Sequence, residues 1–263
     1  MNIDMNEFNY KGISYLKTGS GNTIVLLHGY LESKEIWEDF AGDLAGKFKL
    51  IIPDLPGHGK SKLPAGGLTV DKMADAVKEV LDFENIEKCF LVGHSMGGYA
   101  ALAFLDLFPE RLSALSLFHS SPYADTDEKR INRDREINII RQGKKAQVYT
   151  AHFPKTFAKE NADKFAGEIK KMNERAKNMN DEGIIAALEA MKARPDRSSL
   201  LKNTNVPMQY IIGEKDNFIP MSILEKLKLP ENSELVVLEN SGHMGFIEEK
   251  ENSLRAISGF YGM

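Results

Sequence analysis

The chain has 263 residues, 42% of them hydrophobic, enough to bury a large core in one α/β domain with an insertion or in two small domains. The formal net charge of −4 gives no electrostatic reason to expect nucleic acid or an anionic membrane as partner. Cys89 is the single cysteine, which excludes an internal disulfide and a cysteine-rich zinc site.

The N-terminal "MNIDMNEFNYKGISYLKTG" has no basic start and no apolar core of signal-peptide length. No stretch approaches the roughly 18 apolar residues of a membrane span. A soluble, cytoplasmic protein is expected. Near-continuous apolar runs follow at 23–29, 49–55, 89–95 and 112–120. Such runs suit parallel strands covered on both faces. Cys89 falls in the third of them, as an ordinary buried strand residue. Between the runs lie "SKEIWEDFAGDLAGKF", "TVDKMADAVKEVLDFEN" and "MGGYAALAFLDLFPER", each with apolar residues at helical spacing. Thr69 and Asp71 mark a helix start, and Pro109 a helix end. Alternating strand and helix predict a parallel, doubly wound sheet.

The texture changes after Pro122. Up to residue 200 no strand-like run occurs, only long, charged, helix-compatible segments. Residues 121–200 carry 17 Lys and Arg against 13 Asp and Glu, a surplus of +4 in a chain of net −4. Strand texture returns at 206–216 and 233–243, and a last helix is expected in 248–262. The simplest organisation is an α/β core in two parts, 1–121 and 201–263, interrupted by a helical insertion at 122–200.

One stretch carries chemistry. Gly93-His94-Ser95-Met96-Gly97 joins an apolar run to a helix and matches the G-x-S-x-G nucleophile elbow. A serine on so sharp a turn is strained, and small neighbours let the backbone pass itself closely. The turn lifts the hydroxyl above the carboxyl edge of the sheet, where open α/β sheets bind ligands. The Met96 N–H, at a helix N-terminus, then faces a developing oxyanion. Serine needs a base and the base an orienting carboxylate. His243 in "NSGHMGFIEE" and Asp216 in "GEKDNFIP" each follow a strand-like run. The order Ser95, Asp216, His243 is the one expected of this arrangement. Asp125, after the fourth run, is the alternative acid. The second oxyanion donor is expected from the backbone N–H of Tyr30 in "LLHGYLESKEIW", with Leu31 as alternative and His28 bracing the loop. "PDLPGHGKS" is no P-loop, because one residue rather than four separates its glycines. Its Asp54 reads as a local anchor.

"LLHGY", "PDLPGHGKS", "LVGHSMGGYAAL", "IIGEKDNFIP" and "SGHMGFIEE" are similar, in order, to the landmarks of the α/β-hydrolase superfamily. The chain resembles its branch of small, capped carboxylesterases. The resemblance implies an α/β fold with a mostly parallel eight-stranded sheet and a helical cap inserted after the sixth strand. It implies acyl-enzyme chemistry by Ser95, His243 and Asp216, with no cofactor and no metal. Haloalkane dehalogenases and epoxide hydrolases of this fold carry an aspartate where this chain has Ser95. The pyruvate-eliminating enzyme of menaquinone synthesis carries an arginine where it has Tyr99. The expected substrate is a small ester or thioester. C–C bond hydrolases and enol-lactonases share the triad, and a non-catalytic receptor of the same fold is the remaining alternative. Arg130, Arg133, Arg135 and Arg141 of the insertion have no assignable role at this level, and the oligomeric state is not set.

Overall fold

The computed structural model describes residues 5–262. The apolar runs become β3 (Thr23–Leu27), β4 (Lys49–Pro53), β5 (Cys89–His94) and β6 (Leu112–Phe118). The two later ones become β7 (Met208–Gly213) and β8 (Ser233–Leu238). β3 and β7 are buried at every position, which is why they read as unbroken apolar runs rather than alternating ones. Ahead of them stand β1 (Asn6–Tyr10) and β2 (Ile13–Thr18), a hairpin that the hydrophobic pattern does not reveal. β1 is largely exposed and polar, so burial gives it no periodicity. Its register comes from the turn at Lys11 and Gly12, both at positive φ (49° and 89°).

All eight strands form one sheet in the order β1-β2-β4-β3-β5-β6-β7-β8. β2 meets β1 and β4 antiparallel, and every other pairing is parallel. Parallel strands need crossovers. These are supplied in the core by α1 (Glu38–Leu44), α2 (Val70–Phe83) and α3 (Met96–Leu107), with α10 (Lys250–Tyr261) closing the chain after the short α9 (Gly245–Glu248). Thr69 caps α2 by accepting from Lys72 N at 3.1 Å. α2 packs on α3, which lies along β5, and α1 packs on α10.

Between β6 and β7 run α4 (Asp127–Arg141), α5 (Lys145–Thr156), α6 (Ala166–Lys177), α7 (Asp181–Ala193) and the short α8 (Leu200–Asn203). α4 packs against α5 and α7, and α5 against α6. α7 approaches the core so closely that a Cβ on Gly183 would lie 2.0 Å from the Gly57 carbonyl oxygen. Because β3 and β5 to β8 all run parallel, their carboxyl ends share one edge. Residues 28–32, 94–96, 119–121, 214–219 and 239–244 therefore converge there.

Candidate active site

Ser95 sits between β5 and α3 with φ 50° and ψ −113°, a conformation that costs an ordinary residue on the order of 1–3 kcal/mol. Neighbouring contacts hold it there. Ser95 N donates to the Phe118 carbonyl at 3.0 Å, and the Ser95 carbonyl accepts from Gly98 N at 2.9 Å and from Ser120 Oγ at 2.8 Å. A Cβ on Gly93 would meet the Gly97 carbonyl oxygen at 2.5 Å, and one on Gly97 would meet the Leu27 carbonyl oxygen at 2.5 Å. The glycines are thus the condition for α3 starting directly above β3 and β5.

That contact sets the loop after β3 beside the start of α3. His28 braces the loop: its Nδ1 donates to the Gly29 carbonyl (2.8 Å) and its Nε2 accepts from Leu55 N (2.9 Å). Gly29 N donates to the buried Glu32 carboxylate at 2.6 Å, and Leu31 takes φ 61°. The backbone N–H groups of Tyr30, Leu31 and Met96 have no acceptor among the described residues. Asp54 is the anchor expected of it, accepting from Lys34 N (2.8 Å), Lys34 Nζ (2.6 Å) and Lys60 N (2.9 Å).

His243 Nδ1 donates to Asp216 Oδ2 at 2.8 Å. The other oxygen, Oδ1, accepts from Phe218 N (2.7 Å) and Ile219 N (3.0 Å). Burial alone would raise the Asp216 pKa, but His243 and His119 override it and hold the carboxyl well below the usual carboxylate range. The alternative acid, Asp125, lies elsewhere, paired with Arg133 and, at 2.7 Å, with Arg194. The His243 ring is 5.0 Å from the ring of His94, the residue before Ser95, and His94 Nε2 donates to the His243 carbonyl at 2.9 Å. Ser95 Oγ and His243 make no hydrogen bond with each other in this structure.

Three buried groups near this edge carry little or no sequence signal. Glu32 accepts a hydrogen bond from His94 Nδ1 at 3.1 Å. Burial would raise the Glu32 pKa, yet the His94 charge and hydrogen bond bring it to about 2. Burial works the other way on His94, and Glu32 carries its pKa above the ordinary value. Glu248 accepts from Gly242 N (2.8 Å) and Ala158 N (2.7 Å), tying the His243 loop to the segment after α5. His119 points its Nδ1 at Asp216 Oδ2 (3.1 Å). Only His119 has a trace in the sequence, a histidine directly after a strand-like run. Glu32 and Glu248 find their partners through the tertiary fold alone.

His119, Asp216 and His243 place potential ligand atoms within 4.8 Å of one another. The hydrogen bonds account for that proximity. Both Nδ1 atoms carry the protons they give to Asp216, so neither offers a lone pair, and the set does not fit a metal. Beside His243 an aromatic arc runs from Tyr30 to His152 of α5 (5.5 Å), to Phe218 (5.1 Å) and to His243 (5.1 Å). Burial pushes the His152 pKa down to about 4, so its ring is neutral. Glu136 of α4 accepts from the Tyr30 hydroxyl at 3.3 Å. The Arg194 guanidinium lies 3.8 Å from the centroid of Tyr99, on the first turn of α3.

Sheet order, elbow and residue convergence define a hydrolase-type α/β protein. Residues 22–250 match the α/β hydrolase fold family, and the chain belongs to it. It is 27% identical to a Bacillus subtilis protein provisionally named 2-succinyl-6-hydroxy-2,4-cyclohexadiene-1-carboxylate synthase, over 95% of each chain. It is 30% identical to the 2-hydroxy-6-oxononadienedioate/2-hydroxy-6-oxononatrienedioate hydrolase of Paraburkholderia phymatum, over 95% of this chain and 91% of that one. A thermophilic esterase from Thermogutta terrifontis superposes with a TM-score of 0.90 at 26% identity, covering 100% of this chain and 98% of its own. Among the described residues no helix is long and apolar enough to cross a membrane.

Proposed function

We propose that the chain is a serine hydrolase that cleaves a small carboxylic ester or thioester through an acyl-enzyme intermediate. The observation that carries this reading is the 2.8 Å His243–Asp216 hydrogen bond, beside a serine held on a strained elbow at the same sheet edge. Ser95 Oγ attacks the substrate carbonyl carbon while His243 Nε2 takes its proton. Asp216 holds the Nδ1–H tautomer that leaves Nε2 free as a base, and it stabilises the imidazolium. The N–H groups of Met96 and Tyr30 receive the oxyanion; losing one such donor typically costs about 3–4 kcal/mol of barrier. His243 returns the proton to the leaving alcohol or thiol. Water, deprotonated by His243, then releases the acid and restores Ser95. We take residues 122–200 as the cap that shapes the pocket, through His152, Glu136 and the segment after α5.

C–C bond hydrolysis or enol-lactone opening by the same three residues is the second reading. What favours it is that two guanidinium groups, Arg133 and the Arg194 that lies over Tyr99, share the single carboxylate of Asp125 and leave a surplus positive charge that suits a substrate carboxylate, together with the carboxylate and dioate in the two relatives' names. The test is turnover of a p-nitrophenyl acyl series, acetyl to long chains, by wild type and Ser95→Ala. Turnover of short esters that vanishes in a folded Ser95→Ala is expected. Unchanged hydrolysis by that variant sinks the assignment. Inert esters, with Ser95 still labelled by a fluorophosphonate, shift the reading to the second one.

A further inference from the structure

Asp216 Oδ2 is approached by two imidazoles, and only one belongs to the reaction described above. The second is His119, fully buried, one residue past the end of β6. Its place is costly to build. His119 takes φ 49°, and it is one of five non-glycine residues at positive φ among those described. Lys11 and Asn85 occupy turns away from the site. Leu31, Ser95 and His119 all stand at the carboxyl edge, the pattern expected where strain serves a site. The surroundings are carved for the ring. A Cβ on Gly245 would lie 2.4 Å from His119 Nε2, and one on Gly213 would lie 2.9 Å from its Cε1.

The hydrogen bonds assign the tautomer. Two backbone N–H groups approach the ring at 3.2 Å, Gly245 N at Nε2 and Gly213 N at Nδ1, so the Asp216 carboxylate decides: it needs a donor at Nδ1, which leaves Nε2 unprotonated. Nδ1 then carries the proton and faces the anionic Asp216 Oδ2 at 3.1 Å. The opposite tautomer would set an N–H against the Gly245 N–H and a lone pair against the carboxylate. The Gly213 contact at Nδ1 is one that only that disfavoured tautomer could use. Burial holds the His119 pKa near 4 against the pull of Asp216, so the ring is neutral and has one proton to give.

We propose that His119 is a positioning residue, a second imidazole donor that shares Asp216 Oδ2 with His243 and so limits how strongly Asp216 holds the His243 imidazolium. The proposal rests on the reading of Ser95, His243 and Asp216 as a triad. Its physics is competition for one oxygen. A carboxylate oxygen that already accepts a proton donor is a weaker partner for a second one. His119 therefore keeps His243 a weaker base than an undivided Asp216 would make it, and it eases return of the proton to the leaving group. The other titratable groups facing His243 are His94, through the His243 carbonyl, and His152 of α5, with Glu32 behind His94. His94, Asp216 and His243 are those facing His119. Of these, His94, His152 and Glu32 make no hydrogen bond to Asp216 Oδ2.

The test uses the full chain and the pH dependence of fluorophosphonate labelling of Ser95, which needs no knowledge of the substrate. His119→Leu removes the donor while excluding water. Its acidic limb should move up by about one pH unit, the size expected when a carboxylate loses one of four donors. His119→Asn keeps an N–H, tolerates the left-handed backbone, and should restore the wild-type limb. A folded His119→Leu whose limb coincides with wild type overturns the proposal, as does an equal shift in both variants. Should His119→Leu fail to fold, imidazole nitrogen NMR on the wild type decides. His119 should show an Nδ1–H tautomer that does not titrate between about pH 5 and 9; an Nε2–H tautomer, or titration in that range, refutes it. Absence of any labelling of wild-type Ser95 fells the triad reading and this proposal together, whereas a labelled Ser95 with an unmoved limb fells this proposal alone.

Discussion

At the scale of single residues the site rests on charges placed where water cannot reach them. Glu32 and His94 form a buried pair, and each also holds backbone: Glu32 the Gly29 N–H of the loop after β3, His94 the carbonyl of His243. Breaking a buried pair from one side leaves an uncompensated group, typically at a cost of 3–5 kcal/mol. Glu32→Gln should therefore lose about 3 kcal/mol or more at neutral pH. The pH dependence follows from two shifts. The raised His94 pKa makes its contribution fully present below the unfolded histidine value and lost as pH climbs through the folded one. The Glu32 pKa, lowered to about 2, makes its contribution present above the unfolded carboxylate value and lost as pH falls toward 2. The gap between wild type and Glu32→Gln should thus narrow on both sides of neutrality. Denaturant melts across pH measure it, and a gap independent of pH would refute the pair's ionic character.

At the scale of elements the glycines of the elbow let three pieces of backbone meet. Gly97 abuts the carbonyls of Leu27 and His28, so β3 and α3 touch with no side chain between them. Gly97→Ala forces a Cβ against backbone oxygen, a neighbour with no rotamer to move. Overpacking of this kind costs typically 1–3 kcal/mol. It should also part the Met96 N–H from the Tyr30 N–H, so hydrolysis should drop by at least tenfold while the variant still folds. Circular dichroism with steady-state kinetics checks both halves; full activity would show that the two loops do not need this approach.

For the whole molecule, acid stability is set by histidines that the fold keeps neutral. Burial lowers His28 to about 4, His58 to about 3, His119 to about 4 and His152 to about 4. Each takes up a proton in the unfolded chain near pH 6.5 and in the folded chain only well below that. Below 6.5 the unfolded state binds more protons, so stability rises with pH there. The contribution is whole above about pH 6.5 and is lost progressively down to about pH 3–4. His94, shifted the other way, offsets one of the four. A calorimetric Tm that falls steadily from about pH 6.5 to 4 is expected; a flat Tm over that window would mean these rings are solvated.

The sequence by itself determined the α/β alternation and the place of the elbow. It also placed Ser95, Asp216 and His243 after strand-like runs. Burial on both faces of a parallel sheet writes itself as apolar runs, and a tight turn demands glycines at fixed offsets. Such signals are local, and a linear string preserves them. The first hairpin escaped because β1 is exposed and owes its register to a turn. Only the tertiary structure shows which of the two carboxylates lies beside His243: Asp216 does, while Asp125 pairs with Arg133 and Arg194. Only it joined His94 to Glu32, 62 residues apart, and His119 to Asp216, 97 residues apart. Those partnerships depend on strand order and on which loops share an edge. A hydrogen bond between distant residues leaves no periodicity in either segment, so its partners become visible only when the sheet has assembled.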